Sequence, residues 1–151
     1  PVLLAVGVMI TQLGVAMLPS ALIDIADKRT DWAVFAFSAF ACIAVGTGIS
    51  ALTGRGETST GPKEAFVLTV LVWTLLPAVA AIPFVLSGYT VTDSWIESVS
   101  GLTTTGSTVF IGLDNLPRGI LLWRAILQWI GGIGILVSAI AILPMLRVGG
   151  R

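Results

Sequence analysis

Four apolar stretches constrain the fold of this chain more than any other feature of its sequence. A helix that crosses a bilayer needs roughly 20 mostly apolar residues. The four stretches meet that length, with charged residues mainly at or near their ends, and run approximately over Val2–Ile23, Trp32–Thr53, Ala65–Leu86 and Arg118–Leu143. The composition agrees, because 56% of the residues are hydrophobic and only 11% are charged. The sequence therefore predicts an all-α membrane protein with four transmembrane helices.

Charge and residue content exclude several classes of function. Eight basic and eight acidic residues give a net charge of zero, so no basic surface for nucleic acid is indicated. The chain has no histidine, the commonest general base and metal ligand, and we expect no enzyme and no cofactor. Cys42 is the one cysteine and is expected to be a small packing residue. A membrane enzyme using Asp93 and Glu97 as paired carboxylates stays an alternative.

Two polar links divide the chain into units. The first, Asp24–Asp31, is too short to hold a domain, so the first two spans are expected to form a hairpin packed within the membrane. The second is rich in Gly, Thr and Ser, which is typical of an aqueous turn. The third span contains Pro77 and Pro83, which we expect to bend it. The predicted units are a transmembrane hairpin, a polar linker and a helix–loop–helix repeat (1–53, 54–64 and 65–151).

A short amphipathic helix is predicted between the third and fourth spans. Thr92, Asp93 and Ser94 are N-cap candidates, and Ser94 with Glu97 fits the capping-box pattern. The helix should have two to three turns and end at Gly101. It is too short to cross the membrane.

The run Thr103–Thr108 follows this helix directly, and its β-branched and small residues favour extended backbone. Such clusters also mark ordinary turns. Non-helical backbone at membrane depth, however, is tolerated only where it is buried in protein or lines a water-filled cavity. A short capped helix followed by this run, between two spans, therefore predicts a re-entrant pore helix and an extended filter strand.

The chemistry of such a strand suits a cation. Its carbonyl oxygens can replace the hydration shell of potassium, and the C-terminal end of the short helix adds a negative dipole. Gly106 is pivotal because, without a Cβ, it reaches backbone angles closed to other residues. Potassium is expected to bind through Thr104, Thr105 and Gly106, within a longer predicted ion-binding set of Thr104, Thr105, Gly106, Ser107 and Thr108.

The fourth span carries polar residues that are costly to expose to lipid. Arg124 and Gln128 lie four residues apart on one face, so both are expected to point into protein. Arg124 needs an acidic or carbonyl partner at that depth. Glu97 is the expected partner, with carbonyls at the end of the short helix as the alternative. Asp93, Glu97, Arg124 and Gln128 are thus predicted to support the pore, and the glycines that follow allow close helix approach or a flexible point.

These motifs resemble a known family. Three segments are similar to the first pore repeat of the TrkH/TrkG potassium uptake subunits. They are Ser100–Thr108, Leu116–Arg118 and the pattern W-R-x-x-x-Q-W-x-G-G-x-G over 123–134. The similarity extends from about Pro62 to Gly150. The leading hairpin resembles the extra two-helix element of the family, with less diagnostic residues.

The resemblance implies a chain with four such repeats around one pore, of which this sequence has one. The sequence begins with Pro1 and nothing follows Arg151, so we expect a truncated sequence whose other repeats belong to the same chain. Assembly of four identical copies is the alternative. The resemblance further implies a homodimer of full subunits, a cytoplasmic TrkA-type nucleotide-binding partner and a multi-pass location in the lipid of the cell (inner) membrane.

The expected function is potassium transport, with potassium as the substrate and this chain supplying one of four filter strands. Sodium-passing members of the resembled family can carry serine at the filter glycine, and Gly106 therefore favours potassium. Two alternatives remain open: a relative permeable to both sodium and potassium, and a membrane structural or assembly fragment that conducts nothing.

Overall fold

A computed structural model describes residues 2–53 and 61–147 of the chain. Within these ranges it is all-helical and has no β-strand, as predicted. The linker residues 54–60 and the last four residues of the predicted repeat lie outside the described residues. The elements are α1 (Val2–Ala26), α2 (Trp32–Thr53), α3 (Pro62–Ala80), α4 (Ile82–Leu86), α5 (Val91–Leu102), a short 3-10 helix (Leu113–Asn115) and α6 (Arg118–Arg147).

Four helical segments are long and apolar enough to cross a membrane. They are α1, α2, the combined α3 and α4 over Lys63–Leu86, and Arg118–Val137 of α6. All four predicted spans are confirmed as helical segments of sufficient length, with ends that differ by a few residues.

The third span is interrupted at the prolines that were expected to bend it. Proline has no N–H, and its ring collides with the carbonyl of the residue four positions earlier, so Pro83 cannot continue the helix from α3. The break falls at Ala81, between α3 and α4. The indole Nε1 of Trp123 in α6 donates to the carbonyl oxygen of Ala80 at 3.1 Å. The break is thereby tied to α6, while Pro77 lies inside α3 without ending it.

The N-terminal hairpin packs through small residues. A Cβ on Gly14 would lie 2.8 Å from the Ala39 carbonyl oxygen, and one on Gly46 would lie 2.5 Å from that of Gly7. Lipid tails are as apolar as the helix side chains, so the hydrophobic effect does not drive helices together in a membrane. Close van der Waals packing of this kind drives their association instead. Cys42 is buried in the same contact and is a packing residue, as predicted.

Helix α6 connects the hairpin with the short helix, since it packs against both α1 and α5. One core joins all three, with buried residues that are at most 6% exposed, including Met17 of α1, Leu102 of α5, and Trp123 and Leu127 of α6. Helix α6 therefore links the hairpin to the helix that precedes the loop.

The short helix α5 begins earlier than predicted. Its N-cap is Thr90, whose hydroxyl accepts the N–H of Asp93 at 3.1 Å, and the predicted caps Thr92, Asp93 and Ser94 all lie inside the helix. The prediction of a Ser94–Glu97 capping box is wrong, because the Glu97 carboxylate accepts hydrogen bonds from the loop and from α6 instead. The helix has 12 residues and ends at Leu102, one residue beyond the predicted end.

Candidate functional site

The backbone after α5 folds back onto the end of that helix. Four successive N–H groups donate to its last carbonyl oxygens: Thr103 to Val99 (2.9 Å), Thr104 to Gly101 (3.0 Å), and Thr105 and Gly106 to Ser100 (3.0 and 3.4 Å). These bonds satisfy carbonyls that would otherwise be left free at the helix end. In a trans peptide the preceding carbonyl points opposite to the N–H, and no peptide bond described is cis. The carbonyls of residues 103–105 therefore face away from α5.

Two residues of this turn have left-handed backbone angles. Gly106 has φ +77°, which meets the expectation that it adopts angles closed to other residues. Thr104 has φ +57°, which was not foreseen, because a β-branched residue rarely takes such angles and pays about 1–3 kcal/mol to do so. These angles differ from the single extended strand predicted. The difference arises because the N–H groups of the run cap α5.

Ser107 reverses the direction of the carbonyls. The Ser100 hydroxyl donates to the Ser107 carbonyl oxygen at 2.6 Å, so this carbonyl points back toward α5. In the part of the chain that the structure describes, no donor reaches the carbonyl oxygens of residues 103–106. The loop thus presents a short row of free carbonyls that stops before Ser107. Ser100 was not predicted, and nothing in the motif distinguishes it from its neighbours.

Glu97 is the central support of the loop. Its side chain is 2% exposed, and its Oε2 accepts the Thr108 hydroxyl at 2.9 Å and the Val109 N–H at 3.1 Å. Its Oε1 accepts Nε–H of Arg124, which confirms the predicted ion pair. One carboxylate therefore joins α5, the loop and α6.

An aromatic cluster holds the far end of the loop. Phe110 is buried, and its ring stacks on Tyr89 with centroids 4.0 Å apart and meets Phe84 edge-on at 5.3 Å. Its N–H donates to the Thr108 hydroxyl at 3.1 Å. Burial, and then the charge of Glu97, raise the pKa of the Tyr89 hydroxyl, which stays neutral. Both ends of the exposed loop are thus fixed.

The other predicted support residues lie at the margin of the site. Asp93 is partly buried in the first turn of α5. Gln128 lies one turn beyond Arg124 and is exposed in this chain, and its side chain is directed toward the loop. Its Nε2 would be 3.4 Å from a Cβ added to Gly106. Gln128 therefore borders the residue that the sequence marks as pivotal.

The glycines of α6 have separate roles. A Cβ on Gly131 would collide with the backbone of Leu102 at the end of α5, so this glycine allows the two helices to approach closely. Gly134 has nothing within 4 Å of such a Cβ. The expected close approach is confirmed at Gly131.

The geometry does not support catalysis by the two acids. Glu97 is occupied by three donors, and Asp93 lies a helical turn away. Among residues 2–53 and 61–147, no group of three or more His, Cys, Asp or Glu could hold a metal ion.

A further buried acid lies outside the loop. Asp24, treated in the sequence as part of the first polar link, is 0% exposed and accepts the Gly119 N–H at 2.8 Å. The two residues are 95 positions apart, and no local pattern announces their contact.

Comparison with known proteins identifies the family. Residues 32–151 match the TrkH family, described as cation transport protein. This chain belongs to the TrkH family. The resemblance noted in the sequence is thereby confirmed, and the enzyme alternative falls away because the members are cation transport proteins.

Individual members of the TrkH family align with nearly the whole chain. The Trk system potassium uptake protein TrkH of Salmonella typhimurium is 40% identical over 148 residues, covering 96% of this chain and 31% of the relative. TrkI of Halomonas elongata is 40% identical over 152 residues, covering 99% and 31%. The crystal structure of the potassium transporter TrkH from Vibrio parahaemolyticus superposes with a TM-score of 0.91 at 37% identity, covering 99% and 33%. The chain thus spans about a third of the length of these relatives.

Proposed function

We propose that this chain contributes to potassium transport across the cell membrane through a filter lined by the carbonyl oxygens of Thr104, Thr105 and Gly106. The observation that carries the proposal is the row of N–H groups that donate to the end of α5 and leave the carbonyls of residues 103–105 facing away from it, while the Gly106 carbonyl accepts no hydrogen bond among the described residues. Such carbonyls can replace the hydration shell of a potassium ion. The names of the relatives, potassium uptake proteins and a potassium transporter, agree with this substrate.

The last two residues of the predicted ion-binding set take a different role in this proposal. The Ser107 carbonyl accepts the Ser100 hydroxyl, and the Thr108 hydroxyl donates to Glu97. We assign both residues to holding the loop. The carbonyl row then ends at Gly106.

The positive φ of Thr104 and Gly106 supports the same assignment. Left-handed residues that alternate with residues at negative φ can direct successive carbonyls to one side. Non-glycine residues held at positive φ cluster at functional sites, where the surrounding structure maintains them. Thr104 is held by its own N–H bond to the Gly101 carbonyl oxygen at 3.0 Å.

The pore is completed by other parts of the assembly in this proposal. Residues 104–109 are exposed in this chain, which leaves the loop free to face further filter strands. We propose that those strands come from three other repeats of the same polypeptide, and that residues 65–151 form one re-entrant repeat preceded by the hairpin. On the family resemblance we also propose a homodimer of full subunits, a TrkA-type nucleotide-binding subunit as partner and the inner membrane as location.

A matched pair of glycine substitutions tests the proposal. In the full-length transporter, Gly106→Ser should reduce the preference for potassium over sodium, because a side chain at φ +77° strains the carbonyl row. Gly112 has φ +71° and only Asn115 near a built Cβ, at 4.0 Å. Gly112→Ser therefore carries the same backbone strain without touching the row.

The two variants are compared by ion uptake normalised to the amount of protein in the membrane. A loss of selectivity in Gly106→Ser alone supports the filter. Equal selectivity in both variants and the unmodified protein would refute it.

A further inference from the structure

Asp24 is a buried acid that the loop chemistry does not use. It lies in the last turn of α1 with a side chain that is 0% exposed. Its Oδ1 accepts the N–H of Gly119 at 2.8 Å, and among the described residues its Oδ2 is buried without a hydrogen-bond partner. A carboxylate is costly to bury, so its position requires a compensating interaction.

The start of α6 supplies that interaction. Gly119 is the second residue of α6, where backbone N–H groups have no partner within the helix. The N-terminus of a helix also carries partial positive charge, which favours a nearby carboxylate. Asp24 therefore acts as a cap on α6 that is provided by a different helix.

The contact is built for this pair of residues. A Cβ on Gly119 would collide with the Asp24 carboxylate, so a larger residue at this position would displace that side chain. The neighbouring pair of Arg118 and Asp27, at 3.1 Å, is largely exposed, with the arginine side chain 66% accessible. Exposed pairs of this kind contribute little. Asp24 is thus the main polar link between the hairpin and α6.

This link continues to the loop through a short path. Arg124 follows Gly119 by five residues on the same helix, about 7.5 Å along its axis. Arg124 binds Glu97, and Glu97 binds Thr108 and Val109 in the loop. A shift of α6 relative to the membrane would therefore move the carboxylate that holds the loop.

We propose that Asp24 is a positioning residue for ion selection: through it, the N-terminal hairpin fixes the axial position of α6 and with it the geometry of the carbonyl row. This inference rests on the proposed function and gives the hairpin a role in it. The hairpin then serves as an anchor for the pore repeat and not only as additional membrane-embedded mass.

The first test uses three variants in the full-length transporter: Asp24→Ala, Asp24→Asn and the matched control Asp27→Asn. Loss of a helix cap changes the folding equilibrium of a helix or protein by roughly two- to thirtyfold. We expect Asp24→Ala to reduce the potassium-to-sodium uptake ratio by up to about tenfold. Asp24→Asn, which keeps an acceptor oxygen, should retain part of the ratio, and Asp27→Asn should retain all of it. A purely structural role would lower protein abundance and leave the ratio per molecule unchanged, which would overturn the inference.

A second test addresses the contact itself and covers the case in which Asp24→Ala is poorly expressed. Gly119→Ala should reduce the uptake ratio because its methyl group displaces the carboxylate. Combining it with Asp24→Asn should give less than the sum of the two separate losses, because both changes disturb one contact. Fully additive losses would overturn the inference.

Gly106→Ser in the same assay separates this inference from the proposed function. If Gly106→Ser leaves the ratio unchanged, the carbonyl filter itself is refuted. If Gly106→Ser lowers the ratio and both Asp24 variants do not, the filter stands and the positioning role of Asp24 is refuted.

Discussion

Replacing Glu97 by glutamine should weaken both the loop and transport. The carboxylate accepts hydrogen bonds from Arg124, from the Thr108 hydroxyl and from the Val109 N–H. Glutamine keeps one oxygen and replaces the other with a donor NH₂ group. If the NH₂ group faces Arg124, the guanidinium loses its partner. If it faces the loop, the Val109 N–H loses its acceptor.

The size of the effect follows from burial. Leaving a buried donor unsatisfied costs about 1–3 kcal/mol, and breaking a buried ion pair costs about 3–5 kcal/mol. Glu97 has a side chain 2% exposed, but that of Arg124 is 18% exposed, so this chain does not fully enclose the arginine. We expect a loss of about 2–4 kcal/mol in the stability of the folded repeat.

Thermal unfolding of the detergent-purified transporter, together with potassium uptake, measures this effect. Asp93→Asn is the matched control, because it removes a carboxylate one turn earlier on α5 and should cost less than about 1 kcal/mol. The exchange of Glu97→Arg with Arg124→Glu should recover part of the loss of either single change. A double-mutant cycle without coupling between the two positions would refute the reasoning.

Two further substitutions test how the loop is held. Ser100→Ala removes the 2.6 Å bond to the Ser107 carbonyl, and should cost about 1 kcal/mol and lower potassium selectivity. Its control is Ser87→Ala, which removes a 2.8 Å bond to the Pro83 carbonyl at the end of α4 and should leave selectivity unchanged. Gly131→Ala should lower the unfolding temperature, because overpacking typically costs about 1–3 kcal/mol. Gly134→Ala, with open space around it, should not. Equal behaviour of either variant and its control would contradict the described packing.

The spans and the ion pair could be predicted because strong, local physical constraints act on them. Bilayer thickness fixes the length of an apolar helix, and a charge at membrane depth must find a partner. The ion pair of Arg124 with Glu97 could therefore be predicted from the depth at which each residue lies in the membrane. The geometry of proline likewise predicted that the third span departs from a straight helix at its prolines.

The details of the loop could not be predicted because several local patterns compete. Ser94 and Glu97 satisfy the capping-box pattern, but a charged donor binds a carboxylate more strongly than a backbone N–H does, and Glu97 pairs with Arg124. Thr90 takes the cap instead. The left-handed angle of Thr104 opposes its intrinsic preference and depends on the helix end that its N–H caps.

The contact of Asp24 with Gly119 could not be predicted for a different reason. It joins residues far apart in the sequence, and each looks ordinary in its own segment. An acid at the end of a span is usually solvated, and a glycine after Pro117 and Arg118 is common at a turn. Only the packing of α1 against α6 brings them together.

The location of a bound monovalent cation tests the carbonyl filter most directly. Crystals of the full-length transporter soaked with thallium(I), which scatters strongly in place of potassium, would locate it by anomalous diffraction. The account predicts ion density beside the carbonyl oxygens of Thr104, Thr105 and Gly106, and none at the Ser107 carbonyl. Density only at carboxylate side chains, with none beside the three carbonyls, would contradict it.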